Sequence, residues 1–323
     1  MQTVLWILLA VFVLAILLLS LVLHKTAVVR DEKRDWNYDP AVDGETMQPS
    51  GRSPYRTSSA PSNKWWNTQP LERVEIKSED GKRLVGHLLR AETETDRVAV
   101  VLHGHRCVSG EMGFIAKIYA DRGWNVFMPD QRAHGKSEGR YIGMGWLEKR
   151  DVLCWLRKLR ELLGSELRVV LHGISMGAAT TMMTVGEKDL PGFVKCAVED
   201  CGYTDAFDSF LFHMQRDTPQ IPFKKLLIAI ASGWNRIVAG YGFRQASSVP
   251  ALERSCIPML FIHGTHDNVV PFEMMRTLYD ACGGDKKMFI VEGAAHGVAY
   301  FHDPALYEKT VMDFVETYIP RTV

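Results

Sequence analysis

Arg168-Val169-Val170-Leu171-His172-Gly173-Ile174-Ser175-Met176-Gly177-Ala178-Ala179-Thr180-Thr181-Met182-Met183 is the stretch that decides the fold. Its first residues are apolar and β-branched, the pattern of a buried strand. Its last residues are small or unbranched and read as a helix. Between them, Gly173 and Gly177 flank Ile174-Ser175-Met176. A turn that passes from strand to helix in so few residues leaves no room for side chains beside the serine. The backbone at Ser175 is then forced into a strained conformation with its hydroxyl exposed, and the helix offers its N-terminus to negative charge. A G-x-S-x-G in this setting is a nucleophile elbow. The competing reading is a small-residue turn in some other α/β protein.

A serine hydroxyl is a weak nucleophile at neutral pH and needs a base held by an acid. Among eleven histidines, His296 stands in Gly293-Ala294-Ala295-His296-Gly297, directly after the strand-like run 287–292. Small neighbours leave its imidazole room to turn. The acid is expected between serine and histidine in the chain. Asp267 fits, in the loop His263-Gly264-Thr265-His266-Asp267 that follows the apolar run 259–262. Asp200 also ends a strand and competes for the role. His302 beside Asp303 reads as a surface or capping residue.

With these motifs the chain resembles the α/β-hydrolase family, from about residue 71 to the C-terminus. Leu102-His103-Gly104-His105 is similar to the family's H-G-x oxyanion loop. Pro129-Asp130-Gln131-Arg132-Ala133-His134-Gly135-Lys136-Ser137-Glu138-Gly139 is similar to its D-x-R-x-H-G-x-S-x-G loop, which is usually structural there. Tyr141-Ile142-Gly143-Met144-Gly145-Trp146 and Glu199-Asp200-Cys201-Gly202-Tyr203-Thr204 resemble a bacterial branch of membrane-anchored, esterase- or peptidase-like hydrolases. The resemblance implies a mostly parallel eight-stranded sheet with helices on both faces, a helical cap insertion and one preceding transmembrane helix. It also implies acyl transfer to water, with Ser175 as nucleophile, His296 as base and Asp267 as orienting acid. The backbone N–H groups of Met176 and His105 would receive the oxyanion.

Composition agrees with an ordinary globular chain. Of 323 residues, 46% are apolar and 24% charged, and 38 basic side chains balance 38 acidic ones. No basic excess suggests nucleic acid. Six cysteines have neither disulfide nor metal spacing. Five residues of strand between Cys196 and Cys201 span about 16 Å, too far for a bridge. His103-x-His105 and His263-x-x-His266 lack the helical or Asp-His context of a metal site. Neither a metal nor a cofactor is expected.

Residues 4–23 are apolar throughout except for Ser20. At helical rise they extend about 30 Å, the hydrocarbon thickness of a bilayer. No basic residue precedes the run and no small-x-small site follows it, so an uncleaved anchor is expected rather than a signal peptide. Lys25, Arg30, Lys33 and Arg34 follow it, which puts the catalytic domain of a single-pass protein in the cytoplasm. The expected organisation is an anchor over 1–30, a juxtamembrane linker over 31–66 and a catalytic domain over 67–323. All the catalytic motifs lie beyond residue 102, so removal of the first 60 residues is expected to leave an active, soluble hydrolase. Trp65-Trp66 reads either as an interfacial anchor or as packing on the catalytic domain.

Expected strands fall at 73–77, 84–89, 98–102, 125–128, 168–171, 194–198, 259–262 and 288–291, with helical patterns between them. The interval 202–255 is too long for a simple crossover. Its two helical patterns, 204–215 and 223–239, are read as a cap over the site, with Phe207, Phe210, Leu211, Leu227, Ile230 and Trp234 divided between core and acyl pocket. The expected partners are a small acyl substrate and the membrane. A serine peptidase or thioesterase would use the same residues. A membrane-tethered binding protein that lost catalysis is the reading from another class.

Overall fold

The computed structural model describes residues 1–32, 65–66 and 68–321. Most of the expected linker, with Lys33 and Arg34, lies outside the described residues.

One long helix, α1 (Gln2–Val28), comes first. The sheet follows: β1 (Glu72–Lys77), β2 (Arg83–Leu89), β3 (Arg97–Leu102), β4 (Asn125–Pro129), β5 (Arg168–Ile174), β6 (Val194–Asp200), β7 (Met259–Gly264) and β8 (Lys286–Val291). Helices α2 (Gly113–Ala120), α3 (Glu148–Leu163) and α4 (Met176–Val185) connect β3 to β6 in turn. Between β6 and β7 stand α5 (Ala206–Asp217), α6 (Lys224–Ala239) and α7 (Val249–Arg254). The chain closes with α8 (Phe272–Ala281), the single turn α9 (Ala299–His302) and α10 (Pro304–Tyr318).

The eight strands lie in the order β1-β2-β4-β3-β5-β6-β7-β8. β2 is antiparallel to both β1 and β4, and all the other neighbours are parallel. Both faces are covered, and the strands show it by alternation. Val98, Val100 and Leu102 of β3 join the core on one face, whereas Ala99 and Val101 join the core on the other. That two-residue period is what a sheet between two helical layers requires. Chain order reverses at β3, which lies between β4 and β5. Ligands of open α/β sheets gather at the strand C-termini beside such a switch.

A third apolar cluster lies over those C-termini. It joins Met176, Ala179 and Met183 of α4 to Phe210 of α5, Ile228 and Ala231 of α6, and Tyr241 and Phe243 after it. The end of α1 belongs to the same cluster. Val28 is fully buried, Val29 bridges to Tyr141, and Arg30 donates to the carbonyls of Ser137 and Gly135 at 2.7 and 2.8 Å. This packing argues against the expectation that the first 60 residues are dispensable, because Ala27 and Val28 fill space within the catalytic domain.

Trp66 is also packed into the core, against the layer that contains Phe114. Lys117 Nζ lies 5.0 Å from the centre of the Trp65 ring. The pair therefore packs on the catalytic domain. All six cysteines are free, and Cys256 alone among them is exposed.

Candidate active site

Neighbouring parallel strands bring the expected residues to one edge of the sheet. β5 ends at Ile174, and Ser175 caps α4 with φ 56° and ψ −115°. A non-glycine residue held there costs about 1–3 kcal/mol, so its surroundings must hold it. They do so through the Ser175 N–H, which donates to the Asp200 carbonyl at the end of β6 at 2.8 Å. The flanking glycines are steric necessities. A Cβ at Gly177 would overlap the Leu102 carbonyl, and one at Gly173 would overlap the Gly177 carbonyl.

The loop after β8 places His296 Nε2 2.9 Å from Ser175 Oγ. The loop after β7 places Asp267 Oδ2 2.7 Å from His296 Nδ1. The other oxygen of Asp267 accepts the Val269 and Val270 N–H groups at 2.8 and 2.9 Å. Burial alone would raise this carboxyl's pKa, but the charge of His296 and the hydrogen bonds of His263 and His296 outweigh burial and hold it well below the usual carboxylate range. His263 Nε2 stands 3.2 Å from Asp267 Oδ2. Burial opposes protonation of His263, and Asp267 more than compensates, so its pKa is raised. Sequence reasoning weighed His263 only as a metal ligand. The clue to its place was the four-residue spacing from Asp267.

Asp200 occupies a different environment. Its Oδ2 accepts from Tyr307 Oη at 2.9 Å, and burial pushes its pKa up to about 6. Tyr307 Oη lies 3.2 Å from His172 Nε2, and His172 Nδ1 lies 3.0 Å from Tyr119 Oη. Burial lowers the pKa of His172 to about 3, so the imidazole in this chain beneath the elbow is neutral. Asp200 thus holds the backbone and a buried tyrosine, while Asp267 holds His296.

The loop after β3 runs beside the serine. Gly104 comes so close that a Cβ on it would stand 3.5 Å from Ser175 Cβ. The 130–139 loop holds this one in place. His103 Nε2 accepts the Gln131 N–H, and His134 Nε2 accepts the Arg106 N–H, both at 2.9 Å. Asp130 accepts the N–H groups of Ser109 and Lys136 at 2.9 and 2.8 Å, and Arg132 pairs with Asp151 at 2.6 Å. These residues build the frame around the site. Met176 is fully buried at the start of α4, and the His105 ring donates to the Ala27 carbonyl at 2.8 Å.

Cys201, Asp267 and His296 carry donor atoms within 4.8 Å of one another. Their chemistry suits a metal poorly. Asp267 Oδ2 is already shared by two imidazoles, and burial, reinforced by Asp200 and Asp267, raises the Cys201 thiol well above its ordinary pKa, against the thiolate a metal needs.

The sequence matches the prolyl oligopeptidase family over residues 111–321, which include Ser175, Asp267 and His296. It is 29% identical over 227 residues to the Bacillus subtilis protein YqkD, covering 70% of this chain and 73% of that one. It is 25% identical over 273 residues to a monoacylglycerol lipase of Mycolicibacterium smegmatis, covering 74% of this chain and 93% of the lipase. Among solved structures, the Pyrococcus furiosus esterase Pf2001 superposes with a TM-score of 0.64 at 20% identity, covering 78% of this chain and 92% of the esterase. That likeness establishes the α/β-hydrolase fold.

Proposed function

The chain belongs to the prolyl oligopeptidase family of α/β-hydrolase serine hydrolases, and from that premise we propose that it cleaves a carboxylic ester through Ser175, His296 and Asp267. The observation that carries this reading is the continuous pair of hydrogen bonds, 2.9 Å from Ser175 Oγ to His296 Nε2 and 2.7 Å from His296 Nδ1 to Asp267 Oδ2.

The steps follow from that geometry. His296 Nε2 takes the proton of the Ser175 hydroxyl as the oxygen attacks the ester carbonyl. Asp267 fixes the tautomer that leaves Nε2 free to accept, and it stabilises the imidazolium that forms. The carbonyl oxygen becomes an oxyanion, received by the backbone N–H groups of Met176 and His105. One such donor contributes about 3 kcal/mol to transition-state stabilisation. His296 then gives its proton to the leaving alcohol. Water enters, loses a proton to His296 and releases the acid from Ser175. No metal or cofactor takes part in this sequence.

We further propose that the substrate is an amphiphile presented at a membrane. α1 carries an apolar run long enough to cross a bilayer. Lys25 and Arg30 at its end favour a catalytic domain on the cytoplasmic side. The substrate class is tested with acyl esters of graded chain length beside thioester and peptide-amide panels. Ester turnover well above amide turnover is expected. Amide turnover at equal or greater efficiency would assign a peptidase instead.

A further inference from the structure

α1 does not stand apart from the catalytic domain. Phe12 of α1 packs edge-on against Phe223, just before α6, with ring centres 5.9 Å apart. Twelve residues later in each segment, His24 Nε2 meets Asn235 Oδ1 at 3.2 Å. Equal advance along both segments means that α1 and α6 run parallel and side by side over about 18 Å. Only the first ten or so residues of α1 project past α6. They extend about 15 Å, half the roughly 30 Å of bilayer hydrocarbon. If the apolar run of α1 is to be used fully, its accompanied half must meet lipid, and α6 meets lipid with it.

The surface of α6 is built for that contact. Its inner face, Leu227, Ile228, Ala231 and Asn235, is buried. Its outer face carries Leu226, Ile230, Gly233 and Ile237, spaced at four, three and four residues, which is one stripe of a helix. Leu226 is 47% exposed and Ile237 is 77% exposed. With the exposed Phe223 and Val238 they make an apolar patch, of the kind that marks an interaction or membrane surface. Arg236 is exposed and follows Asn235 as the exposed Lys25 follows His24, so the two cations stand at one level, where the accompanied stretch ends. On α1, Val4, Leu8, Val11 and Leu18 are likewise exposed.

We propose that α6 is a membrane-contacting element, its outer stripe seated in the lipid beside α1 and Arg236 at the headgroups with Lys25. This rests on the reading of α1 as a membrane anchor. The catalytic domain then lies on the bilayer through its cap instead of hanging from a stalk. Because Ile228 and Ala231 on the inner face of α6 share a packed cluster with Met176, the lipid-contacting helix also covers the residue that follows Ser175.

The test uses the full chain with Cys256→Ser to remove the exposed thiol. Single cysteines replace Leu226, Ile237, Leu8 of α1 and the exposed Lys287 of β8, and each carries an environment-sensitive fluorophore. The protein is reconstituted in phosphatidylcholine–phosphatidylglycerol vesicles. Labels at 226, 237 and 8 should be quenched by nitroxide on the acyl chains and protected from iodide, and the label at 287 should do the reverse. If 226 and 237 behave like 287 while 8 reports lipid, the anchor stands and the proposal is overturned. If 8 also behaves like 287, the anchor reading falls and takes the proposal with it.

Discussion

His105 donates from Nε2 to the Ala27 carbonyl at 2.8 Å, so the end of α1 is joined to the loop beside Ser175. The contact is one of several. Arg106 reaches the Thr26 carbonyl at 2.6 Å, and the Ile142 N–H donates to the Val28 carbonyl at 2.7 Å.

Two truncations separate anchoring from packing. Removal of residues 1–11, all exposed, takes away apolar surface only and should leave melting nearly unchanged. Removal of residues 1–30 also takes the fully buried Val28 and the two hydrogen bonds of Arg30. That should cost about 3 kcal/mol or more and lower activity through the loosened His105 loop. Thermal melts and ester turnover in the same detergent check it. Equal melting of the two truncations would contradict the packing.

Asp267 and Asp200 are separated by parallel substitutions. Asp267→Asn should lower kcat by roughly three to four orders of magnitude, because the amide no longer selects the tautomer of His296 or balances its charge. Asp200→Asn should act mainly on stability, through the Tyr307 hydrogen bond. Initial rates, with near-ultraviolet circular dichroism as the folding control, decide. A larger rate loss in Asp200→Asn with folding intact would reverse the assignment.

Much of this arrangement was legible in the sequence. Chemistry confined to strand ends leaves a readable pattern, an apolar run followed by one reactive residue among small ones, as at Ser175 and His296. The sheet was legible for a related reason, since a doubly covered parallel strand must be apolar without interruption. The association of α1 with α6 was not legible. A helix that is apolar on every side carries no mark of the face that packs, and Val28 reads alike as anchor or as core. His263 was obscured by a loop in which two histidines and an aspartate invite a metal reading.

The buried Glu199 should make stability depend on pH. Burial raises its pKa to about 8, against the opposing pull of His263. A carboxyl whose folded pKa exceeds its unfolded value of about 4.3 adds stability fully below that value, and the contribution is lost as pH rises toward 8. Glu199→Gln keeps an acceptor for the Gly202 N–H, now 2.9 Å from Oε2. The variant should therefore gain stability over the wild type at pH 8.5 and gain little at pH 5. A melting difference independent of pH would contradict this.

Orientation in the membrane is read with a C-terminal reporter that is active only outside the cytoplasm. The uncharged N-terminal flank and the basic residues after α1 predict a silent reporter. Strong reporter activity would place the catalytic domain on the other side.

The most direct measurement concerns Ser175 itself. The full chain is treated with a fluorophosphonate probe, and the adduct is located by peptide mass. The account predicts one adduct, on Ser175, formed quickly in the wild type, slowly in His296→Ala and not at all in Ser175→Ala, with ester hydrolysis falling in step. Undiminished labelling or hydrolysis in Ser175→Ala would show that the nucleophile lies elsewhere.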